Sequence, residues 1–293
     1  MYDIKALYEA ADVRQAIGLL QEHPAAKIIA GGSDVLVQMR EGKLAGAELV
    51  SIYGIDELRG ITLLEDGTIR IGSLTSFSHI ARHPIINEHI AVLGEAVDMV
   101  GGPQVRNIGT IGGNTCNGGT SADSGSTLVA YDAVMEVEGP AGQRLIPIRE
   151  WYVGAGRVSL QPGEIQTAIR IPKESYEGYK GHYIKYAMRN AMDIATLGCS
   201  ANVKLSADKK TIENARLAYG VAGPVPMRAP SAEAAVKGQA VSEAVIEAFA
   251  KAVEQDVKPR DSWRASKAFR LHLAGELARR ALREAIRLCG GEF

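Results

Sequence analysis

The sequence is poor in cysteine and has no long apolar run. Its 293 residues contain three cysteines, Cys116, Cys199 and Cys289, which are widely separated along the chain. An odd number without a close pair is typical neither of a disulfide framework nor of a zinc or iron–sulfur site, so we expect this chain to hold no metal. No apolar run approaches the roughly 20 residues that cross a bilayer, and the first residues show no signal-peptide pattern. We therefore expect a cytoplasmic protein.

The sequence also lacks an excess of charge of either sign. Thirty-three basic residues stand against 34 acidic ones, which gives a net charge of −1. Proteins that bind nucleic acid or an anionic membrane usually carry a basic excess, so we expect neither partner. An apolar content of 46% with 23% charged residues is that of a globular protein, and the length favours two domains.

Several common catalytic and nucleotide-binding motifs are absent. No Gly-x-x-x-x-Gly-Lys-Ser/Thr sequence occurs, which excludes a P-loop ATPase. The nearest approach to the dinucleotide fingerprint, Gly-Ala-Gly at residues 154–156, lacks the third glycine and so disfavours a Rossmann fold. Residues 119–123 do not complete the nucleophile elbow of a hydrolase, and the pair His79 and His83 has no obvious third metal ligand.

Glycine, in contrast, is abundant and concentrated. Eight of the 32 glycines lie within residues 101–125. Two segments stand out: the first glycine turn (residues 30–34, Ala-Gly-Gly-Ser-Asp), and the second glycine turn (residues 109–114), which continues to Asn117 and Asp123. Paired glycines present main-chain N–H groups to an anion, and an acidic residue beyond them suits ribose hydroxyls. One such pair is usually only a tight turn, but the two together favour a bound diphosphate.

Hydrophobic periodicity predicts a mixed α and β chain. It indicates a helix that is capped by Asp12 and runs to about residue 22. It also indicates mostly short strands over residues 48–172 and a polar linker at residues 173–181. After the linker we expect an antiparallel sheet covered by helices, of which the last spans residues 263–288. The basic side chains of this last helix favour a solvated face, and a docking surface for a partner subunit is the alternative.

In their order along the chain, these motifs resemble the FAD-binding subunits of molybdenum-containing hydroxylases, in particular those of bacterial xanthine dehydrogenases. The resemblance is carried by residues 27–34, residues 109–114 with Asp123, residues 185–189 and residues 255–286. It therefore covers nearly the whole chain.

The resemblance implies an α+β fold with two domains. Residues 1–176 would form a FAD-binding fold of the vanillyl-alcohol oxidase or PCMH type, with subdomains at about residues 1–55 and 56–176. Residues 177–293 would form the carbon monoxide dehydrogenase flavoprotein C-terminal domain, an antiparallel sheet with helices.

The resemblance also implies where FAD binds. The two glycine turns would wrap its diphosphate, Asp123 would bind ribose, Ile165 would touch the flavin, and Lys185 would lie near the isoalloxazine edge. A cation there favours the anionic reduced flavin and so tunes its redox potential. The resemblance does not identify a catalytic residue on this chain. The expected FAD-binding residues are Lys27, Ile28, Ile29, Ala30, Gly31, Gly32, Ser33, Asp34, Gly109, Thr110, Ile111, Gly112, Gly113, Asn114, Asn117, Asp123, Ile165 and Lys185.

The implied activity is that of an oxidoreductase divided among several polypeptides. A molybdopterin centre on a large subunit would hydroxylate a purine, and two [2Fe–2S] clusters on a small subunit would pass the electrons to FAD on this chain and then to NAD. The complex would be a heterotrimer or a dimer of heterotrimers. Three alternatives stay open: the flavin subunit of a carbon monoxide or N-heterocycle dehydrogenase, a stand-alone flavin oxidoreductase, and a nucleotide-binding scaffold without redox function.

Two positions depart from the pattern of the animal xanthine oxidoreductases. Val100 occupies the place near which those enzymes have an aromatic residue stacked on the flavin, and residues 189–193 carry fewer charges than their animal counterpart. The resemblance therefore predicts neither flavin stacking at Val100 nor contacts with NAD at residues 189–193.

Overall fold

The computed structural model describes residues 2–293 and begins with a small parallel sheet. The elements of this N-terminal unit are, in chain order, β1 (Ile4–Glu9), α1 (Val13–Glu22), β2 (Lys27–Ile29), α2 (Val35–Arg40) and β3 (Ala47–Ser51). The strands lie in the order β1–β3–β2. As the sequence predicts, Asp12 caps α1 by accepting a hydrogen bond from the main-chain N–H of Gln15 at 2.7 Å, and the apolar face of the helix is buried.

The central unit is a five-stranded antiparallel sheet with short helices. Its elements are β4 (Ile61–Leu63), β5 (Ile69–Gly72), α3 (Phe77–Arg82), α4 (Pro84–His89), α5 (Ala91–Asp98), α6 (Pro103–Ile108), α7 (Ile111–Cys116), α8 (Asp123–Ala130), β6 (Val134–Gly139), β7 (Gly142–Pro147), α9 (Ile148–Trp151), β8 (Tyr152–Gly154), β9 (Arg157–Val158) and β10 (Ile165–Ile171). The sheet order is β4–β5–β10–β6–β7, and β8 pairs with β9 in a separate ribbon.

The C-terminal unit is a four-stranded antiparallel sheet covered by helices. It follows α10 (Lys173–Tyr176), whose Tyr176 is buried in the core of the central unit. Its elements are β11 (Lys180–Tyr186), β12 (Leu197–Leu205), β13 (Ile212–Gly220), β14 (Met227–Arg228), α11 (Pro230–Val236), α12 (Glu243–Ala252) and α13 (Lys267–Leu288). The strands follow one another in sheet order, as expected for an antiparallel meander. The polar segment 173–181 is packed against the protein, since Tyr176 and Tyr179 are buried.

The last helix starts later than the sequence predicts. Ser266 caps α13 by accepting a hydrogen bond from the main-chain N–H of Phe269, and Ser262 pairs with Ala265 in a turn before it. Trp263 therefore lies in this turn and not in the helix. The amphipathic pattern did not reveal the cap because serine also fits a helix interior at modest cost.

The arginines of α13 are mostly paired within the chain. Arg279 binds Glu247 and Glu276, and Arg283 binds Glu243. Arg280 and Arg287 pair with acidic residues of the same helix, whereas the buried Arg270 donates to main-chain oxygens. Most of the arginine charge on this helix is therefore balanced within the chain, as expected for a solvated face. Within residues 2–293, no helix has both the length and the apolar character needed to cross a membrane.

A buried carboxylate holds two arginines together in the central sheet. Arg70 on β5 and Arg170 on β10 lie directly opposite each other, where like charges repel. Glu136 on β6 is 2% exposed and accepts hydrogen bonds from Arg70 at 2.9 Å, Arg170 at 2.6 Å and the Thr167 hydroxyl at 3.0 Å. Burial acts to raise the pKa of Glu136, but the hydrogen bonds and charge of the arginines outweigh it and hold that pKa below its ordinary value.

We expect Glu136→Gln to lower the free energy of unfolding at pH 7 by about 2 kcal/mol, because the two arginines then face each other without a countercharge. Chemical denaturation measures this loss. Since the folded pKa is depressed, the carboxylate contributes above its ordinary pKa, and the contribution disappears as the pH falls through the folded value. The stabilities of wild type and variant should therefore converge in acid.

Glu138 provides a matched control on the same strand, because it is half-buried and forms no ion pair within residues 2–293. Glu138→Gln should change the stability by less than about 0.5 kcal/mol. Equal losses in both variants, or a difference that persists in acid, would contradict this role of Glu136.

Candidate cofactor-binding site

A cavity of about 670 Å³ lies between the N-terminal and central units. Its size is in the range of cofactor pockets. One wall is formed by the first glycine turn and another by the second glycine turn, and β10 contributes Ile165 and Gln166. Apolar side chains complete the lining: Val35, Leu44, Ile52, Leu74, Phe77, Val100, Val105, Leu160 and Ile194. The cavity thus combines polar main-chain groups with extended apolar walls.

The first glycine turn presents main-chain donors to this cavity. It connects β2 to α2, and Gly32 has a left-handed φ of 74° that favours glycine. Within residues 2–293, the main-chain N–H groups of Gly31, Gly32, Ser33 and Asp34 donate to no protein acceptor, and the first bonded amide is that of Leu36. Successive unpaired N–H groups at a concave turn form a site for an anion.

Close packing between segments of this chain requires glycine at positions 31 and 112. A Cβ atom at Gly31 would lie 1.8 Å from the carbonyl oxygen of Ile108, at the end of α6. A Cβ atom at Gly112 would lie 2.5 Å from Cβ of Ser73. Besides presenting N–H groups, these glycines therefore let separate segments of the chain touch.

The second glycine turn is helical and not a loop. Thr110 caps α7 and its hydroxyl accepts a hydrogen bond from the main-chain N–H of Gly113 at 3.1 Å, which leaves the hydroxyl proton free to donate. The main-chain N–H of Gly112 donates to the carbonyl oxygen of Ser73 at 2.8 Å. The helix begins here despite two glycines because the cap and the contact with residue 73 fix its first turn.

The polar lining fits a dinucleotide cofactor. Besides the unpaired amides, the hydroxyl of Ser73 is buried in the cavity wall without a hydrogen-bond partner. Lys27 adds one positive charge to the lining. Unpaired donors and a cation suit a diphosphate, and the apolar walls suit flat ring systems.

Most of the predicted FAD-binding residues line this cavity together. Four do not: Ile29, Ile111, Asp123 and Lys185. Ile111 is fully buried in the apolar core of the central unit. Asp123 lines a smaller adjoining cavity of about 250 Å³, which shares Val100, Asn114, Asn117 and Ile194 with the larger one.

Asp123 and Lys185 form a buried ion pair beside the cavity. The Lys185 ammonium donates to Oδ2 of Asp123 at 2.8 Å and to the main-chain oxygen of Met99 at 2.9 Å. The Tyr183 hydroxyl donates to Oδ1 of Asp123 at 2.7 Å. Burial raises the pKa of Asp123, and the charge and hydrogen bond of Lys185 oppose this only in part. The binding of ribose by Asp123 stays a prediction.

Sequence reasoning missed the segment that follows β5. Ser73, Leu74 and Phe77 line the cavity. No motif marks them, and the run of hydroxyl residues at positions 73, 75 and 76 was the available signal. Gln166 was also missed, although it follows Ile165 on a buried strand.

Cys116 lines the cavity as a neutral thiol. Its Sγ lies 3.0 Å from Oε1 of Gln166, and burial raises the pKa of the thiol to about 12. A thiol with such a pKa is a poor nucleophile. In the described part of the chain, no group of three or more His, Cys, Asp or Glu side chains is placed to hold a metal ion.

Family models match both parts of the chain. The model described as the FAD binding domain in molybdopterin dehydrogenase matches residues 2–174, and the model described as the CO dehydrogenase flavoprotein C-terminal domain matches residues 182–285.

Curated relatives match along the full length. The chain is 43% identical over 293 residues to the xanthine dehydrogenase FAD-binding subunit of Escherichia coli O157:H7, with 100% of both chains covered. It is 30% identical over 278 residues to the carbon monoxide dehydrogenase medium chain of Hydrogenophaga pseudoflava, covering 94% of this chain and 95% of the relative.

Solved structures share the fold. Carbon monoxide dehydrogenase from Hydrogenophaga pseudoflava superposes with a TM-score of 0.91 at 30% identity, covering 97% of this chain and 98% of that one. Quinoline 2-oxidoreductase from Pseudomonas putida 86 superposes with a TM-score of 0.92 at 22% identity and 99% coverage of both, a likeness of fold. These comparisons confirm the predicted α+β fold. It is a FAD-binding fold of two subdomains, followed by a carbon monoxide dehydrogenase flavoprotein C-terminal domain. The chain therefore belongs to the FAD-binding subunits of the molybdenum-containing hydroxylases, the family that includes those of xanthine dehydrogenase and carbon monoxide dehydrogenase.

Proposed function

We propose that this chain is the electron-transfer subunit of a xanthine dehydrogenase-like complex. It would accept electrons from [2Fe–2S] clusters of a partner subunit and pass them through FAD to NAD. FAD supplies the redox chemistry when bound, and the protein supplies binding, orientation and electrostatics. The observation that carries the proposal is the turn of unpaired N–H groups at Gly31–Asp34, in a chain 43% identical throughout to a xanthine dehydrogenase FAD-binding subunit.

We assign roles to the lining residues on this basis. The two glycine turns, with Lys27 and Asn117, would hold the FAD diphosphate, and Asp123 would bind ribose. Ile165 would contact the flavin, and Lys185 would place a positive charge beside the isoalloxazine. A cation there stabilises negative charge on the reduced ring. The unpaired amides and the mainly apolar lining of the cavity support these assignments.

The proposed partners are a molybdopterin-binding large subunit and a [2Fe–2S] small subunit, in a heterotrimer or a dimer of heterotrimers. The names of the relatives, which are a subunit and a medium chain, support a divided enzyme. A purine substrate, NAD as the acceptor and a cytoplasmic location belong to the same proposal. We also propose a domain boundary between residues 176 and 177, which the limits of the two family matches support.

The alternatives have weaker support. A flavin subunit of a carbon monoxide or N-heterocycle dehydrogenase would fit the fold, but the identities are 30% and 22%. A stand-alone oxidoreductase needs a group that moves a proton to or from its substrate. The only ionised side chains among the described residues that line the large cavity are Lys27 and Asp34, which the glycine-turn assignment already uses.

We expect the purified chain to carry one FAD and NADH to bleach its visible absorbance, because electron exchange between flavin and nicotinamide is reversible. Absorption spectroscopy under anaerobic conditions measures this. Purification of the native complex should in addition yield molybdenum and iron with this chain.

Three other outcomes discriminate between the hypotheses. Bleaching by a small substrate without partner subunits would favour the stand-alone oxidoreductase. A spectrum that NADH leaves unchanged would remove NAD as the acceptor. A colourless chain that takes up no added FAD would leave only the scaffold hypothesis.

We expect Gly31→Val and Gly112→Val to abolish FAD retention. The new side chains would collide with the carbonyl oxygen of Ile108 and with Ser73, and would displace both glycine turns. FAD content after gel filtration measures the effect. Hydrogen exchange in β11–β13 should stay as in the wild type, because these strands belong to the C-terminal unit.

Gly18→Ala is the matched control. No atom lies within 4 Å of a Cβ at Gly18, which is on the outside of α1. This variant should keep its FAD, since alanine also favours the helix. Full FAD occupancy in either valine variant would refute the assignment of the corresponding turn.

A further inference from the structure

A buried hydrogen-bonded cluster joins the C-terminal unit to Asp123, which lines the smaller cavity beside the cofactor cavity. Tyr183 and Lys185 are two residues apart on β11, so their side chains leave the strand on the same face. Both reach Asp123, the first residue of α8. Tyr183 binds Oδ1 and Lys185 binds Oδ2, so each carboxylate oxygen has its own donor. We call these residues the Tyr183–Asp123–Lys185 cluster.

The cluster is almost closed to solvent. Tyr183 is 1% exposed, and the side chains of Lys185 and Asp123 are 9% and 6% exposed. Burial of a carboxylate is costly unless it is paired and hydrogen-bonded, and here both conditions are met. Lysine has three N–H donors, of which Asp123 and the main-chain oxygen of Met99 use two. The third N–H donor has no protein acceptor among the described residues.

The neighbouring strand makes room for the tyrosine. Gly198 on β12 lies opposite Lys185 in the sheet register. A Cβ atom at Gly198 would lie 2.9 Å from the hydroxyl oxygen of Tyr183. A larger residue at position 198 would therefore push the hydroxyl away from Asp123.

We propose that Tyr183 is a positioning residue for the flavin: its hydroxyl fixes one oxygen of Asp123, so that the other oxygen holds the Lys185 ammonium beside the smaller cavity, which adjoins the cofactor cavity. This inference rests on the proposed function, in which Lys185 lies beside the isoalloxazine. Tyr183 itself acts only through Asp123. No motif of the sequence marks Tyr183 or Gly198.

The hydroxyl determines how well the charge of Lys185 is balanced. Burial raises the pKa of Asp123, and Lys185 and Tyr183 both act to lower it. The other carboxylate that lines the smaller cavity belongs to Asp193, which accepts a hydrogen bond from the main-chain N–H of Arg189. Without the Tyr183 hydroxyl, Asp123 takes up a proton more readily, and the positive charge of Lys185 is then less compensated. An uncompensated cation makes reduction of the flavin more favourable.

The test is the midpoint potential of the FAD-loaded full-length chain, measured by spectroelectrochemistry at pH 7. In Tyr183→Phe we expect the equilibrium between oxidised and reduced flavin to shift about three- to tenfold toward reduction, or about 15 to 30 mV for a two-electron couple. Gly198→Ala keeps the tyrosine but displaces its hydroxyl, so its potential should shift in the same direction. This second variant decides the question if Tyr183→Phe does not fold.

Tyr219→Phe is the matched control. Tyr219 is also fully buried, and its hydroxyl donates to the main-chain oxygen of Ala274 at 2.7 Å in the C-terminal core. Its loss should lower the melting temperature without moving the potential. An unchanged or lower potential in Tyr183→Phe and Gly198→Ala would overturn the inference, as would an equal shift in Tyr219→Phe. A wild-type chain that binds no FAD would instead overturn the proposed function, and this inference with it.

Discussion

The cofactor site depends on one close contact between main-chain segments, where Gly31 meets the carbonyl oxygen of Ile108. A Cβ atom at Gly31 would lie 1.8 Å from that oxygen, so no other residue type fits without displacing one of the segments. The contact joins the N-terminal sheet to the helices of the central unit, and the cavity lies between them. It thereby fixes the position from which the first glycine turn offers its unpaired N–H groups.

The second wall of the cavity is fixed in a similar way. Gly112 packs on Ser73 and donates to its carbonyl oxygen, and the Thr110 cap holds the first turn of α7. Because main-chain and capping contacts set both walls, little rearrangement is required when an anion binds. A site that is preorganised in this manner loses less free energy to ordering on binding. The C-terminal unit adds a charged element, since Lys185 is bonded to Asp123, which lines the smaller adjoining cavity.

The sequence predicted the parts of the site that local chemistry marks. Asp12 identified the start of α1, and the paired glycines identified both turns, because these residue types have few other uses in such patterns. Local chemistry was misleading for α7, since glycine disfavours helices and the helix is imposed by Thr110 and the contact with Ser73. The positions of Ser73 and Tyr183 depend on strand register and packing between units, and neither can be read from neighbouring residues.

The central claim is that the cavity recognises a dinucleotide through its diphosphate. The most direct measurement is calorimetric titration of the FAD-free chain with FAD, ADP and riboflavin. If the unpaired amides of Gly31–Asp34 hold the diphosphate, FAD binds at a ratio of one to one and ADP competes with it. Riboflavin has no phosphate, so it should bind at least about 100-fold more weakly than FAD. Equal affinity for riboflavin and FAD, or no competition by ADP, would contradict this account.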